Sequence, residues 1–320
     1  MAWDKFLGQE WAISMLKSYL KRDRVPSAFI FSGPDGVGKF SIAKELAKAV
    51  NCNQVQDFSA CDNCRNCIQI EKEIYPDLFI FRPQGKAEEI TIDDIRTLEK
   101  HLALTPQGGR KKFFIVDSAH RMNESATNAF LKSLEEPPLD SVIILVTSQP
   151  EIFPDTIISR CQEVKFSPLK KSDLLHILQD KYGWGQEISE KIAAISQGSL
   201  GIALKMKELV KPRVWEELEE FFLGSQFLED RKTSAHEKRR VIKNKVELLI
   251  LLVREGLLSG LGMKRGRVFE KFPATAFRDS KVLIEKIEQL EYLYNALDSN
   301  VSSEAVYRLA GEIWREVYRR

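Results

Sequence analysis

The chain has 320 residues, 43% hydrophobic and 29% charged, with a net charge of +2. That length and apolar content suit a soluble protein of about two or three domains, and the near-balanced charge argues against a protein that grips nucleic acid alone. The N-terminus lacks a basic stretch followed by an apolar one. The most apolar run, Val246 to Val253, is interrupted by Glu247 and is far short of the roughly 20 residues of a membrane span. The expectation is therefore a cytoplasmic protein with no membrane contact.

In chain order, Ala28 to Phe31 reads as a buried strand that runs into a glycine loop. Lys39 to Asn51 follows as a helix, with Ile42, Leu46, Ala49 and Val50 on one face. Leu78 to Phe81 is strand-like, and Thr91 is the expected N-cap of a helix reaching Leu104, with Asp93 and Asp94 favourably placed in its first turn. Phe113 to Val116 is an apolar strand ending in Asp117. Glu124 to Leu134 is an amphipathic helix stopped by Pro137 and Pro138. Val142 to Val146 and the shorter Val164 to Phe166 complete the strands. Strands alternating with helices imply a parallel sheet covered on both faces. Beyond Pro168 only helical patterns remain. Small helices are expected over 172 to 209, broken at Gly183 and Gly198. Long ones are expected over Arg239–Leu258, Lys281–Leu297 and Ser303–Arg320, with the polar segment 224–238 as a loop.

Gly33-Pro34-Asp35-Gly36-Val37-Gly38-Lys39 matches G-x-x-x-x-G-K in its required setting between a strand and a helix. Gly33, Gly36 and Gly38 let backbone N–H groups turn inward around phosphates, and Lys39 would reach the β- and γ-phosphates. The next residue should carry a hydroxyl for Mg²⁺. It is Phe40, and Ser41 lies about 100° further round the helix. Asp117 closes a second strand in the position of a metal-coordinating acid. The expected neighbour is a glutamate that orients water, but Ser118 stands there. His120 lies two residues beyond that place and is read as structural. The loop is thus expected to bind ATP or ADP weakly or not at all.

Cys52, Cys61, Cys64 and Cys67 form a C-x8-C-x2-C-x2-C cluster within an insertion after the loop helix. Four thiolates suit a closed tetrahedral Zn²⁺ site. Iron–sulfur ligation and free thiols are the alternatives; the ferredoxin continuation x3-C-P is missing after Cys67.

Other segments are similar to one family. Leu131 to Pro138 (LKSLEEPP) resembles a helix end of bacterial clamp-loader subunits, Ser159-Arg160-Cys161 their SRC motif, Thr147 to Pro150 their first sensor, and Leu7-Gly8-Gln9 their N-terminal box. The four-cysteine module and Leu297 to Val301 also resemble family segments. Together these resemble the AAA+ clamp-loader family of DNA polymerase III. The resemblance implies an α/β P-loop NTPase domain with a zinc insertion over 1–167, a small helical lid over 168–209 and an all-α collar over 210–320. It also implies a pentameric ring with gamma/tau and delta subunits that acts on a sliding clamp and primed DNA. Arg160 would then be an arginine finger for ATP held by a neighbouring subunit. Gamma/tau subunits keep a hydroxyl after the loop lysine, a glutamate after the strand acid and a second-sensor arginine. Phe40, Ser118 and Gly201 depart at these three places, so the likeness is to the non-hydrolysing delta prime type, with an active gamma/tau-type ATPase as the alternative. In the family the helix carrying Arg96 faces DNA, and Arg110-Lys111-Lys112 is a second basic segment; charge runs are more often solvated faces.

Overall fold

A computed structural model describes residues 2–84, 88–206, 234–260, 280–297 and 301–318. The chain divides into two compact units, Met1–Asp173 with Gly198–Gly201, and Leu174–Gln197 with Ile202–Arg320.

The first unit is built on β1 (Ala28–Ser32), β2 (Leu78–Phe81), β3 (Lys112–Val116), β4 (Ser141–Thr147) and β5 (Gln162–Lys165). These strands form one parallel sheet in the order β2-β3-β4-β1-β5. The expected α/β class is therefore present. Burial follows the pleat. Phe29, Phe31, Phe113, Ile115, Val142 and Ile144 join a core that includes Ala12 and Leu16 of α1 (Glu10–Lys21) and Ile42 and Leu46 of α2 (Lys39–Asn51). Their neighbours Ile30, Phe114, Ile143 and Leu145 turn to the other face. There they meet Ile95 and Leu98 of α4 (Ile92–Leu102) and Ala126 and Phe130 of α5 (Glu124–Glu135). Covering both faces explains why these strands are continuously apolar rather than alternating. A Phe113→Ala or Phe114→Ala change should cost about 3–5 kcal/mol, read from the denaturation midpoint.

Helix starts agree with their caps. Thr91 forms a capping box with Asp94, as its sequence position suggests, and the Asn123 side chain accepts from the Ala126 N–H at the start of α5. Strand β5 lies two residues earlier than its most apolar stretch. Val164 pairs with Phe31 in the sheet, and Phe166 follows the strand with its N–H donated to Ser32. Between α2 and β2 lies α3 (Arg65–Glu71), which carries Cys67 and has Cys64 at its N-cap; α6 (Asp155–Ile158) precedes β5.

The second unit is helical throughout its described part. It contains the second half of α7 (Lys171–His176), then α8 (Gln186–Ile195), most of α9 (Leu200–Lys205), α10 (Ala235–Gly260), α11 (Ser280–Ala296) and α12 (Ser303–Tyr318). Gly183 and Gly198 both take positive φ, at 66° and 78°, where the breaks were expected. Val246, Leu249 and Leu252 of α10 pack with Leu290 of α11 and Val306, Ala310 and Trp314 of α12. Helix α10 begins earlier than the polar composition suggests, so 235–238 is helix and not loop. Ser234 supplies the reason by accepting the Glu237 N–H on its hydroxyl, an N-terminal cap. The rest of the expected 224–238 loop lies outside the described residues or is Ser234 itself. Asp298 to Asn300 also lies outside them. Among the described residues, no helix is long and apolar enough to cross a membrane.

Candidate functional site: a braced phosphate loop and a cysteine knuckle

The C-terminal ends of parallel strands are where open α/β sheets bind ligands. The glycine loop leaves β1 at that edge, and Asp117 leaves β3 there. Gly33, Gly36 and Gly38 hold φ of 139°, 72° and 102°, values that side chains with a Cβ rarely adopt.

Five successive loop carbonyls are engaged by side chains or backbone of the same unit. Lys39 Nζ donates to Gly33 O at 2.5 Å and Pro34 O at 2.6 Å. Ser199 Oγ donates to Asp35 O at 2.7 Å, and Gly201 N to Gly36 O at 2.8 Å. The Gln9 amide donates to Val37 O at 3.4 Å and to Ser167 O at 2.7 Å. The loop is thus braced on its carbonyl side, the arrangement that leaves its N–H groups to form an anion cradle. Burial pulls the Lys39 ammonium below its ordinary pKa, opposed by Asp35 and Asp117.

Gly201 also has a steric role. A Cβ there would lie 2.7 Å from Gly36 Cα, so the second-sensor position has no room for a side chain while this brace is made. Gly201→Arg is therefore expected to break the brace. A lowered thermal midpoint for that variant, set against an unchanged one for the exposed Lys170→Ala, checks the expectation.

Asp117 and Ser118 stand at the end of β3. Burial raises the Asp117 pKa, while the Arg82 guanidinium, the Ser118 N–H and Lys39 oppose the shift. Ser118 has a φ of 55° and provides no carboxylate at the place where a water-orienting base is expected. His120 Nδ1 lies 3.4 Å from Thr147 Oγ1, and burial lowers its pKa. Phe40 is half-buried against the core, with the Arg82 guanidinium carbon 4.8 Å from its ring centroid. The sequence reading did not single out Arg82. Its signal was positional: it follows the β2 run as Asp117 follows the β3 run, and parallel pairing puts those two places side by side.

The four cysteines converge, with their sulfur atoms all within 4.8 Å of one another and Cys52 Sγ 3.9 Å from Cys64 Sγ. Sulfurs around a tetrahedral ion with bonds of about 2.3 Å lie about 3.8 Å apart, so the donor set fits a metal ion. The N–H groups of Gln54 and Cys61 point at Cys52 Sγ, and that of Cys64 at Cys61 Sγ, at 3.3, 3.4 and 3.3 Å. Burial disfavours the Cys64 thiolate, but the N–H groups of Cys67 and Asn53 outweigh it and bring that thiol down to about 6.

The knuckle is tied to the sheet domain from several sides. Trp3 Nε1 donates to Phe58 O at 2.9 Å. Lys48, only 2% exposed, meets Glu45 at 2.9 Å, Asp62 at 2.7 Å and Glu71 at 3.0 Å. Lys5 reaches the fully buried Glu45 at 2.8 Å. The polar side of α2, with Glu45 and Lys48, is thus buried beneath the knuckle. Burial works against the Asp62 and Glu71 carboxylates, but Lys48 outweighs it and holds both below their ordinary pKa. Their stabilisation is present above the usual carboxylate range and is lost as pH falls through the depressed values. Lys48→Met strands Glu45 beside Lys5 alone and should cost about 3 kcal/mol in denaturant unfolding.

Arg160 makes none of these contacts. It follows α6, donates from Nη1 to Thr156 O at 2.9 Å and faces Glu135 from Nη2 at 3.6 Å. The LKSLEEPP and SRC segments therefore touch through one exposed ion pair. The adjacent Cys161 packs against the core on the α5 face of the sheet, and burial pushes its thiol up to about 12. Of the basic segments, Arg96 is exposed and paired with Asp93 at 3.0 Å. Lys112 does not belong to a solvated face. It is 1% exposed, and its ammonium donates to the carbonyls of His101, Leu102 and Leu104 at and just past the C-terminal end of α4.

Comparison with known proteins fits this geometry. A family model described as DNA polymerase III, delta subunit, matches residues 8–170, just over half of the chain. The delta' subunit of DNA polymerase III from Bacillus subtilis is 37% identical over 162 residues, 51% of this chain and 48% of that protein. The tau/gamma subunit from Haemophilus influenzae is 34% identical over 207 residues, 63% of this chain and 30% of that protein. The chain thus spans less than half the length of either relative. A gamma subunit-related protein of Thermotoga maritima superimposes with a TM-score of 0.54 at 19% identity, covering 97% of this chain and all of that one, a likeness of fold. With a parallel P-loop sheet and a family match that spans the loop, the cysteine knuckle and the Arg160 segment, the chain belongs to the DNA polymerase III delta subunit family of clamp-loader AAA+ proteins.

Proposed function

We propose that this chain is a non-hydrolysing, delta prime-type subunit of the bacterial DNA polymerase III clamp loader. The observation that carries this reading is the chemistry beside the phosphate loop. Phe40 occupies the place of the Mg²⁺-binding hydroxyl and lies under the Arg82 guanidinium, Ser118 occupies the place of the base, and Gly201 leaves no room for a second-sensor arginine. Such a chain works through its neighbours. Arg160 is the finger it supplies to ATP bound by an adjoining gamma/tau subunit. A guanidinium suits that role because its charge is permanent and its fork matches phosphate oxygens.

In this reading 1–167 is the AAA+ domain, 168–209 the lid and 210–320 the collar of a pentamer that includes gamma/tau and delta. The ring opens a sliding clamp and sets it on primed DNA in the cytoplasm. Cys52, Cys61, Cys64 and Cys67 hold a structural Zn²⁺, supported by four thiol donors whose sulfurs all lie within 4.8 Å of one another. Metal analysis should find about one zinc per chain; iron would replace that reading with an iron–sulfur one.

The longer alignment with a tau/gamma subunit, 63% of this chain against 51% for the delta' subunit, favours a second reading as an active gamma/tau-type ATPase. One assay separates them. The purified full chain should show negligible ATP hydrolysis yet restore clamp loading when added to gamma/tau and delta. Steady ATP turnover by the chain alone would establish the gamma/tau reading instead.

A further inference from the structure

In P-loop sites Mg²⁺ is held by the residue after the loop lysine and by an acid that ends a second strand of the sheet. Here those residues are Phe40 and Asp117, and one side chain touches both. Strands β2 and β3 pair with Phe81 opposite Val116, and the Asp117 N–H donates to Phe81 O at 2.9 Å. Arg82 and Asp117 therefore leave the sheet side by side. Arg82 Nε lies 3.8 Å from Asp117 Oδ2, and its guanidinium carbon lies 4.8 Å from the Phe40 ring centroid. Both carboxylate oxygens of Glu73 hold Arg82 Nη2, at 3.1 and 2.9 Å. Lys44 approaches the same ring at 5.8 Å.

These groups suit an organic cation and do not fit Mg²⁺. The ion demands oxygen ligands at about 2.0–2.1 Å in near-octahedral order. Phe40 offers none, and Asp117 is already paired. An aromatic face instead attracts a guanidinium, which is always charged and stacks readily. Phe40 and Arg82 thus place a ring and a guanidinium where other P-loop sites have a hydroxyl and an ion.

We propose that Arg82 takes the place of the divalent ion, so that the phosphate loop is a metal-independent site for a nucleoside polyphosphate. The inward N–H groups and Lys39 receive the phosphates, and Arg82 supplies the fixed positive charge beside them. A guanidinium carries one charge where Mg²⁺ carries two, and Glu73 already offsets part of it, so the less charged diphosphate is the better match. The proposal rests on Gly33–Lys39 being a phosphate loop and is independent of the role of Arg160.

Titration of the full-length chain with ADP and with ATP, in excess Mg²⁺ and in excess EDTA, tests it. ADP should bind with affinities that agree within about twofold in the two conditions, and more tightly than ATP. Arg82→Ala should weaken ADP binding in EDTA by about tenfold, the scale of one charge-assisted contact. The double variant Phe40→Thr/Arg82→Ala should bind ATP only when Mg²⁺ is present. Tenfold or greater tightening of wild-type binding by Mg²⁺, or no binding of either nucleotide in either condition, would overturn the proposal. Lys39→Ala keeps the two layers apart. If its ADP binding equals that of the wild type, the phosphate-loop reading has failed. If Lys39→Ala abolishes binding while wild-type binding requires Mg²⁺, only the assignment of Arg82 has failed.

Discussion

Arg160→Ala, reconstituted into a complete loader, is expected to assemble normally and to slow ATP turnover by about 10³-fold or more at the one junction it serves. The reasoning starts from where the side chain lies. Arg160 follows a short helix and is 38% exposed, and among the described residues its side chain makes only the Thr156 carbonyl bond and the looser contact with Glu135. Removing an exposed pair of that kind changes stability little, so the folded chain and its helical unit should persist. On the proposed finger role, the loss falls instead on charge developing in the transition state on a neighbour's γ-phosphate. Bulk ATPase will understate this where other junctions carry their own arginines. Single-turnover hydrolysis and the rate of clamp loading are the sharper measurements. Arg160→Lys keeps the charge but loses the planar fork and should rescue little. A fully active Arg160→Ala loader would remove the finger role and leave Arg160 as a surface partner of Glu135.

Cys67→Ser should release the metal and destabilise the chain on the order of 5 kcal/mol. That is less than the ~10–16 kcal/mol of isolated zinc-finger peptides, because part of this knuckle has other anchors. Trp3, Lys5 and Lys48 grip it from the sheet domain, and Ile70 of the following helix is fully buried in the main core. The expected picture is local. The 53–64 segment becomes open to protease, while the parallel sheet keeps its circular dichroism. The same outcome should follow strong chelation, and acidification should ease metal release because bound sulfur must be deprotonated. Equal thermal midpoints for wild type and Cys67→Ser, with no metal in either, would make the four thiols a packing cluster.

What could be read from the sequence depended on how local its cause was. The strands were legible because burial on both faces forces uninterrupted apolar runs, and the phosphate loop because its glycines answer a backbone demand within seven residues. The convergence of the cysteines was legible because four thiols so close in sequence, broken by turn-forming residues, can close on one point. The site's cation was not. Arg82 carries no motif, and only strand register brings it to Asp117 and Phe40. Lys112 misled for the same reason. In sequence it closes a basic run, whereas in the fold it opens a central strand and its ammonium serves carbonyls eight to eleven residues earlier. The start of α10 was obscured because Glu237 and Lys238 are polar in composition, although Ser234 caps the helix well.

The brace on the phosphate loop also bears on how this protein is made. Asp35 waits 164 residues for the hydroxyl of Ser199, and the Gln9 amide 158 residues for Ser167. On a ribosome adding about 5–20 residues each second, that interval is on the order of ten seconds. During it, β1 and the glycine loop exist without the groups that later shape them. The loop is therefore among the last parts of its unit to mature, and a nascent chain released before residue 201 would carry the whole glycine motif in an unfinished form.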